Sequence, residues 1–404
     1  MRKLSYGVCA PKGFKANGVH CGIRKNKEKP DLALIVSEVD CSTACVYTQN
    51  KVKGAPILVT QKNVADGKAR AIICNSGNAN TCNADGEEKA FRMCELVEEY
   101  TGIKASDVVV ASTGVIGQTL DVRPIEKGMR SLVDGLSNRL SRKAAHAIMT
   151  TDTQLKEKAY AFKIGDKICR IGGIAKGSGM IHPNMATMLC FITTDVNITP
   201  EMLSLALKKA VVTTFNMVSV DGDTSTNDMV TVMASGLAGN DLISEKGPAF
   251  NKVVAALNRL MTEMSKAIAK DGEGATKLIE CRVYGAKGKV MARKMAKNVV
   301  SSSLVKAALF AADANWGRIL CAIGYTDGNF DASKIDVDIK SKVGSIPVCK
   351  NGAGVEIDET AAHLILGEDE IQIIVNCNQG ASKAVAWGCD LTYEYVRINA
   401  DYRT

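Results

Sequence analysis

Short, wholly apolar runs that open into glycine-rich or small-polar segments recur along the first half of the chain, and they limit the folds open to it. Residues 32–36, 71–74 and 108–111 are apolar without interruption. The second run leads into NSGNAN and the third into STGVIG. A run of this length with no polar alternation reads as a buried strand. Between the runs lie helical periodicities: residues 87–100, with Phe91, Cys94, Leu96 and Val97 as apolar positions, then 124–136 and 139–149. Residues 160–164 and 167–171 flank Gly165 and Asp166, which predicts a hairpin. A glycine-rich loop is expected over 172–179, followed by a buried strand at 188–193. Thr199, Pro200 and Glu201 mark a helix start: Thr caps, Pro suits the first helical position, and Glu favours the positive end. Residues 248–270 read as a long amphipathic helix ending at Asp271 and Gly272, and 290–312 as another helix. From about Ile335 strands and hairpins dominate. Helices mixed with strands in this order argue for an α+β or layered α/β architecture.

Composition narrows the function. The chain has 404 residues, enough for two or three lobes, and is 46% hydrophobic and 23% charged, as a globular protein is. The net charge is +8, but no run of five or six like charges occurs, so no nucleic-acid patch is expected. No apolar stretch is long enough for a membrane span. Residues 1–14 lack the apolar core of a secretory signal, so a cytoplasmic protein is expected. Fourteen cysteines include Cys74, Cys190, Cys321 and Cys377 in apolar runs, where they read as small buried hydrophobes. Cys41 and Cys45 have no matching second pair, and the histidines are only His20, His146, His182 and His363, so no metal site is expected. An S-x-x-K at 303–306 lies in an apolar helical stretch without its usual companion motifs and reads as accidental.

The stretch GGIAKGSGMIHPNMAT, residues 172–187, carries four glycines, a lysine, a serine and a histidine before an apolar strand. Its residues alone are compatible with an ordinary loop entering a core strand. Residues 172–193 nevertheless resemble the signature of the bifunctional ornithine acetyltransferase/glutamate N-acetyltransferase (ArgJ) family. NSGNANTCNADG, ASTGVIG, AIMTTDT, SVDGDTSTND, KDGEGATK, DANWGRI and the ending YVRINADYRT resemble further family segments, in family order, over nearly the whole chain.

The resemblance implies a layered α/β/α sandwich of the N-terminal-nucleophile-like type with a smaller C-terminal α+β lobe from about residue 280. It implies self-cleavage between Ala186 and Thr187, giving an α chain of residues 1–186 and a β chain of 187–404. Thr187 would be the nucleophile, carrying acetyl from N2-acetylornithine to glutamate and releasing ornithine. A free α-amine, with an ordinary pKa of about 7.7–8.0, would supply the base on the same residue. Thr113 and Gly114 would form the oxyanion hole. Substrate would meet Thr153, Lys176, Thr187, Glu273, Asn399 and Thr404, with Thr150 and Thr151 close enough to leave the threonine choice open. No cofactor or metal is implied. Acetyl-CoA is a second donor in some members, and the cleaved chains are expected to remain together as an α2β2 or higher homo-oligomer. Two rival readings stay open at this point. One is an N-terminal-nucleophile aminopeptidase or amidohydrolase using the same nucleophile; the other is an uncut small-ligand binding protein.

Overall fold

The computed structural model describes residues 1–182 and 188–401. The chain divides into two units, each built from three segments. The first comprises Met1–Gly177, Asn184–Val212 and Thr224–Met264; the second comprises Ser178–Pro183, Thr213–Asp223 and Ser265–Thr404. Among the described residues no helix is long and apolar enough to cross a membrane.

The first unit carries strands β1 (Arg2–Lys3), β2 (Phe14–Val19), β3 (Leu32–Tyr47), β4 (Lys68–Asn78), β5 (Val108–Val115), β6 (Lys156–Ile164), β7 (Lys167–Lys176) and β8 (Leu189–Thr194). After β9 (Val218–Ser219) of the second unit, it adds β10 (Met229–Ala234). They form one mixed sheet in the order β1-β6-β7-β8-β10-β3-β4-β5, with β2 paired to β3. The β8–β10 and β4–β5 pairs are parallel. Helices α1 (Ala55–Asn63), α2 (Gly86–Thr101), α3 (Arg123–Asp134), α4 (Ser141–Ile148) and α5 (Pro200–Val211) belong to this unit.

The apolar runs are explained by burial on both sheet faces. Ile72, Cys74, Val109 and Ala111 pack in one core with Ala144, Ala147 and Ile148 of α4, and with Ile174, Leu189, Phe191 and Met229. Ile73, Val108 and Val110 point the other way, against Met93, Cys94, Leu96 and Val97 of α2 and Ile125, Met129 and Leu132 of α3. Each such side chain contributes roughly 1.5–3 kcal/mol of burial free energy, so no position in the runs can be polar without loss. The layered α/β architecture expected from the sequence is the one that forms.

Three local expectations are corrected. The strand expected at 32–36 runs on to Tyr47, because its second half pairs with β10, far away in sequence. The glycine loop expected from 172 begins later: residues 172–176 still belong to β7. Gly172 sits in the strand because the carbonyl of Gly7 lies against it, where a Cβ would come within 1.8 Å of that oxygen. The single helix expected at 290–312 is two, described below.

The second unit is built on a seven-stranded sheet. With β11 (Leu278–Ala286), β12 (Asp336–Ser341), β13 (Gly344–Lys350), β14 (Ala353–Gly354), β15 (Glu370–Asn376) and β16 (Ser382–Cys389), its order is β14-β13-β12-β15-β11-β16-β9. Helix α6 (Pro248–Lys270) begins in the first unit and ends in the second. The helices α7 (Lys289–Ser301), α8 (Ser303–Phe310), α9 (Trp316–Gly324), α10 (Glu359–Leu366) and α11 (Tyr393–Ala400) complete the second. The break between α7 and α8 falls at Ser302, whose hydroxyl accepts from the backbone N–H of Val305 and caps α8. Ten of the cysteines are buried, Cys74, Cys190 and Cys377 among them as expected, while Cys82 is exposed and so, against expectation, is Cys321, because α9 buries Ile319, Ala322 and Ile323 instead.

Candidate active site

In the first unit the parallel ends of β4 and β5 bring Asn75 beside Ser112, Ser76 beside Thr113 and Gly77 beside Gly114. Gly114 has φ +136°, and a Cβ there would lie 2.3 Å from the carbonyl carbon of Gly77. Only glycine fits a backbone so placed. The Thr113 side chain has no hydrogen-bond partner among the described residues. The Thr113 hydroxyl is therefore an uncommitted donor at a strand end, beside Gly114.

Asn227 holds this strand end in place. Its Nδ2 donates to the carbonyl oxygens of Ala79 (2.6 Å) and Ser112 (3.0 Å). Its Oδ1 accepts from the hydroxyls of Thr81 and Thr226, both at 2.6 Å. The residue lies in the quoted segment SVDGDTSTND, but its role shows only once the strands are placed.

Lys176 ends β7, paired with Leu189 of β8. It is 8% exposed, and no hydrogen bond from its ammonium to a described residue is found. Two carboxyls lie within its electrostatic reach, shifted in opposite directions. Burial pushes Asp152 up, but Lys176, Lys156 and the Gly177 N–H outweigh it and bring the carboxyl down to about 2. Burial holds Asp228 well above the usual carboxylate range, against smaller opposing effects from Ser225 and Lys176. Its Oδ2 has no partner among the described residues. Asp152, brought down to about 2, is a carboxylate near neutral pH, while burial disfavours the charged form of Asp228.

Asp152 was not singled out from the sequence, although it stands in the quoted TTDT. Its Oδ1 accepts from Lys156 Nζ (2.7 Å) and from the N–H of Gly177 (2.7 Å), and its Oδ2 from the N–H of Thr150 (3.0 Å). Thr153 itself is exposed, one residue further along, and Thr150 and Thr151 are half-buried.

In the second unit, Glu273 and Asn399, both expected to meet substrate, come together. Asn399 Nδ2 donates to Glu273 Oε2 at 2.8 Å. Glu273 is 8% exposed, and its N–H donates to the carbonyl of Ser178. Asp221 accepts from the N–H groups of Met180 (2.6 Å) and Ile181 (2.8 Å), fixing the segment after Ser178. His182 Nδ1 lies 3.0 Å from the Ser219 hydroxyl. Burial, aided by the charge of Lys297, pulls its imidazole down to about 4, so it is neutral near pH 7. Ala186, Thr187 and Thr404 lie outside the described residues. Among the described residues no group of three or more His, Cys, Asp or Glu side chains is arranged to hold a metal ion.

Comparison with known proteins extends these local observations to the whole chain. The arginine biosynthesis bifunctional protein ArgJ 1 of Clostridium acetobutylicum is 49% identical over 392 residues, covering 97% of this chain and 96% of that protein. The ArgJ protein of Caldanaerobacter subterraneus subsp. tengcongensis is 48% identical over 405 residues, covering all of both chains. A solved chain of the ArgJ protein of Bacillus halodurans is 48% identical with a TM-score of 0.50, and covers 53% of this chain and 99% of its own. The model of the ArgJ family matches residues 15–404, and the chain belongs to that family.

Proposed function

We propose that the chain cuts itself between Ala186 and Thr187, and that the freed Thr187 then carries acetyl from N2-acetylornithine to glutamate. The family assignment makes the chain an enzyme of arginine biosynthesis and speaks against the aminopeptidase and the non-enzymatic binding protein. The observation that carries the mechanism is Lys176: a nearly buried ammonium without a hydrogen-bond acceptor among the described residues, paired in register with Leu189, two positions after Thr187. With Asp152 in electrostatic reach but not hydrogen-bonded to it, this ammonium keeps its donors for an incoming acceptor. The α-carboxylate shared by acetylornithine and glutamate suits it.

The chemistry runs in two acyl transfers. In the precursor the Thr187 hydroxyl attacks the carbonyl carbon of Ala186, and the C–N bond breaks to leave an ester and a free α-amine. Water then hydrolyses the ester, leaving a carboxylate on Ala186. In turnover the α-amine takes the hydroxyl proton as the oxygen attacks the acetyl carbonyl, and ornithine leaves with a proton on its nitrogen. Glutamate's amine resolves the acetyl-Thr187 ester. Thr113 and Gly114 receive the oxyanion. Losing one such donor costs ~2.7–4 kcal/mol of barrier. Glu273, held by Asn399, is a reasonable partner for the ammonium of ornithine, and Thr153 and Thr404 complete the substrate contacts. Acetyl-CoA is proposed as a second donor, because the relatives are named bifunctional.

The solved Bacillus halodurans chain is matched over 99% of its length by 53% of this sequence, a length compatible with one product of a cut near mid-chain. The two chains are proposed to stay associated, as α2β2 or a higher homo-oligomer, in the cytoplasm. Intact mass under denaturing conditions tests the reading. Fragments of 186 and 218 residues, the larger beginning at Thr187, are expected. Thr187→Ala should abolish both the cut and the transfer. A single uncut 43.0 kDa chain that still transfers acetyl would remove the α-amine base.

A further inference from the structure

The first unit buries a complete ion pair beside Lys176. The side chains of Asp152 and Lys156 are both 0% exposed, and their charged atoms are 2.7 Å apart. Such a pair is a poor device for stability, because desolvating both charges consumes most of what their attraction returns. Well-packed apolar side chains of the same volume do as well or better. Its geometry indicates another use.

Asp152 joins two stretches of backbone. One oxygen takes the N–H of Thr150, in the segment leading to Thr153, and the other takes the N–H of Gly177. The second bond fixes the plane of the Lys176–Gly177 peptide, and with it the direction in which Lys176 leaves β7. The same oxygen takes Lys156 Nζ, which also donates to the carbonyl of Gln154. Lys156 therefore supplies the hydrogen-bonded counter-charge of Asp152, while the charge of Lys176 favours the carboxylate from a distance. Without it, Lys176, whose charge already favours the Asp152 carboxylate, is left as the cation to bond it directly. A carboxylate left buried and unpaired draws a neighbouring ammonium to itself. Lys176 would then be neutralised by the protein instead of by a substrate.

We propose that Asp152 and Lys156 are positioning residues for substrate binding: Asp152 aligns the Thr150 and Lys176–Gly177 peptides, and Lys156 occupies Asp152 so that Lys176 stays open to a substrate carboxylate. The proposal rests on the reading of Lys176 as the carboxylate contact.

Steady-state kinetics with N2-acetylornithine and glutamate tests it, on cleaved, folded enzyme. Lys156→Gln keeps a hydrogen-bond donor and removes the charge. It is expected to raise KM for both substrates about tenfold, as one lost charge contact does, with kcat changed by less than about threefold. Lys156→Arg, which restores the cation, should bring KM back. A merely structural role would lower Tm and the amount of active enzyme and leave KM where it was, which would overturn the proposal. Lys176→Met separates the two levels. If it leaves KM unchanged, the reading of Lys176 fails. If it raises KM while Lys156→Gln does not, the ion-pair proposal fails alone. In the Lys176→Met background, Lys156→Gln should add nothing further to KM. Where Lys156→Gln does not fold, the charge-balanced pair Asp152→Asn with Lys156→Gln is read instead. A KM rise of about threefold or more supports the alignment of the Lys176–Gly177 peptide by a charged acceptor, and an unchanged KM overturns it.

Discussion

At the scale of single residues, the strand end that holds Thr113 is built from contacts that tolerate no added atom. Gly114→Ala would place a methyl group against the backbone of Gly77 in a conformation that L residues rarely adopt. The expected outcome is a fall of about 100-fold or more in kcat, since the adjacent donors move with the peptide; stopped assays of acetyl transfer check it. His182 makes a different prediction. Its folded value near 4 lies below the ordinary 6.5, so the folded state binds fewer protons than the unfolded chain between those limits. Its contribution is complete above about pH 6.5 and is lost as pH falls towards 4. Calorimetric Tm should drop across that window, and His182→Gln should remove part of the drop. A variant whose pH dependence superimposes on the parent's would refute this. Thr113 and Gly114 could be proposed from the sequence because they sit in a segment resembling a family motif. Asp152, Lys156 and Asn227 were not, because a polar residue looks the same on paper whether water or a buried carbonyl is its partner.

At the scale of elements, caps and apolar periodicity carried most of the information. Thr199 accepts from the N–H of Met202 as its place before Pro200 and Glu201 predicts, and α6 spans the residues its periodicity indicates. Ser302 was missed, because a serine within a helical pattern gives no sign of whether it caps or is merely tolerated. Ser302→Ala is expected to cost about 1 kcal/mol in chemical denaturation while leaving the acetyl transfer intact. The long β3 and the strand glycine Gly172 were misread for one reason: each is decided by a segment distant in sequence, β10 for the first and the Gly7 backbone for the second. Local pattern has no access to such partners, whereas the runs at 71–74 and 108–111 were readable because burial on both faces makes every position apolar.

At the scale of the whole molecule, chain order and spatial order diverge. The first unit draws on sequence from both sides of residue 186, and the inserted strands are central: β8 lies between β7 and β10, and β10 pairs β8 on one side and β3 on the other. Cleavage at Ala186 should therefore leave the two products joined by whole strands. They are expected to elute together in size-exclusion chromatography and to part only in denaturant; separation in native buffer would contradict the sheet order. The same arrangement has a consequence for synthesis on the ribosome. When residue 186 emerges, β7 and the later half of β3 are both open edges, and the strands that bridge them have not yet been made. An incomplete chain has two sticky borders and no closed sheet. The fold thus acts as a clock: any cut that depends on the finished sheet must wait until the strand ending at Ala234 has been made and left the ribosome, and a chain truncated before that point is expected to aggregate instead of maturing.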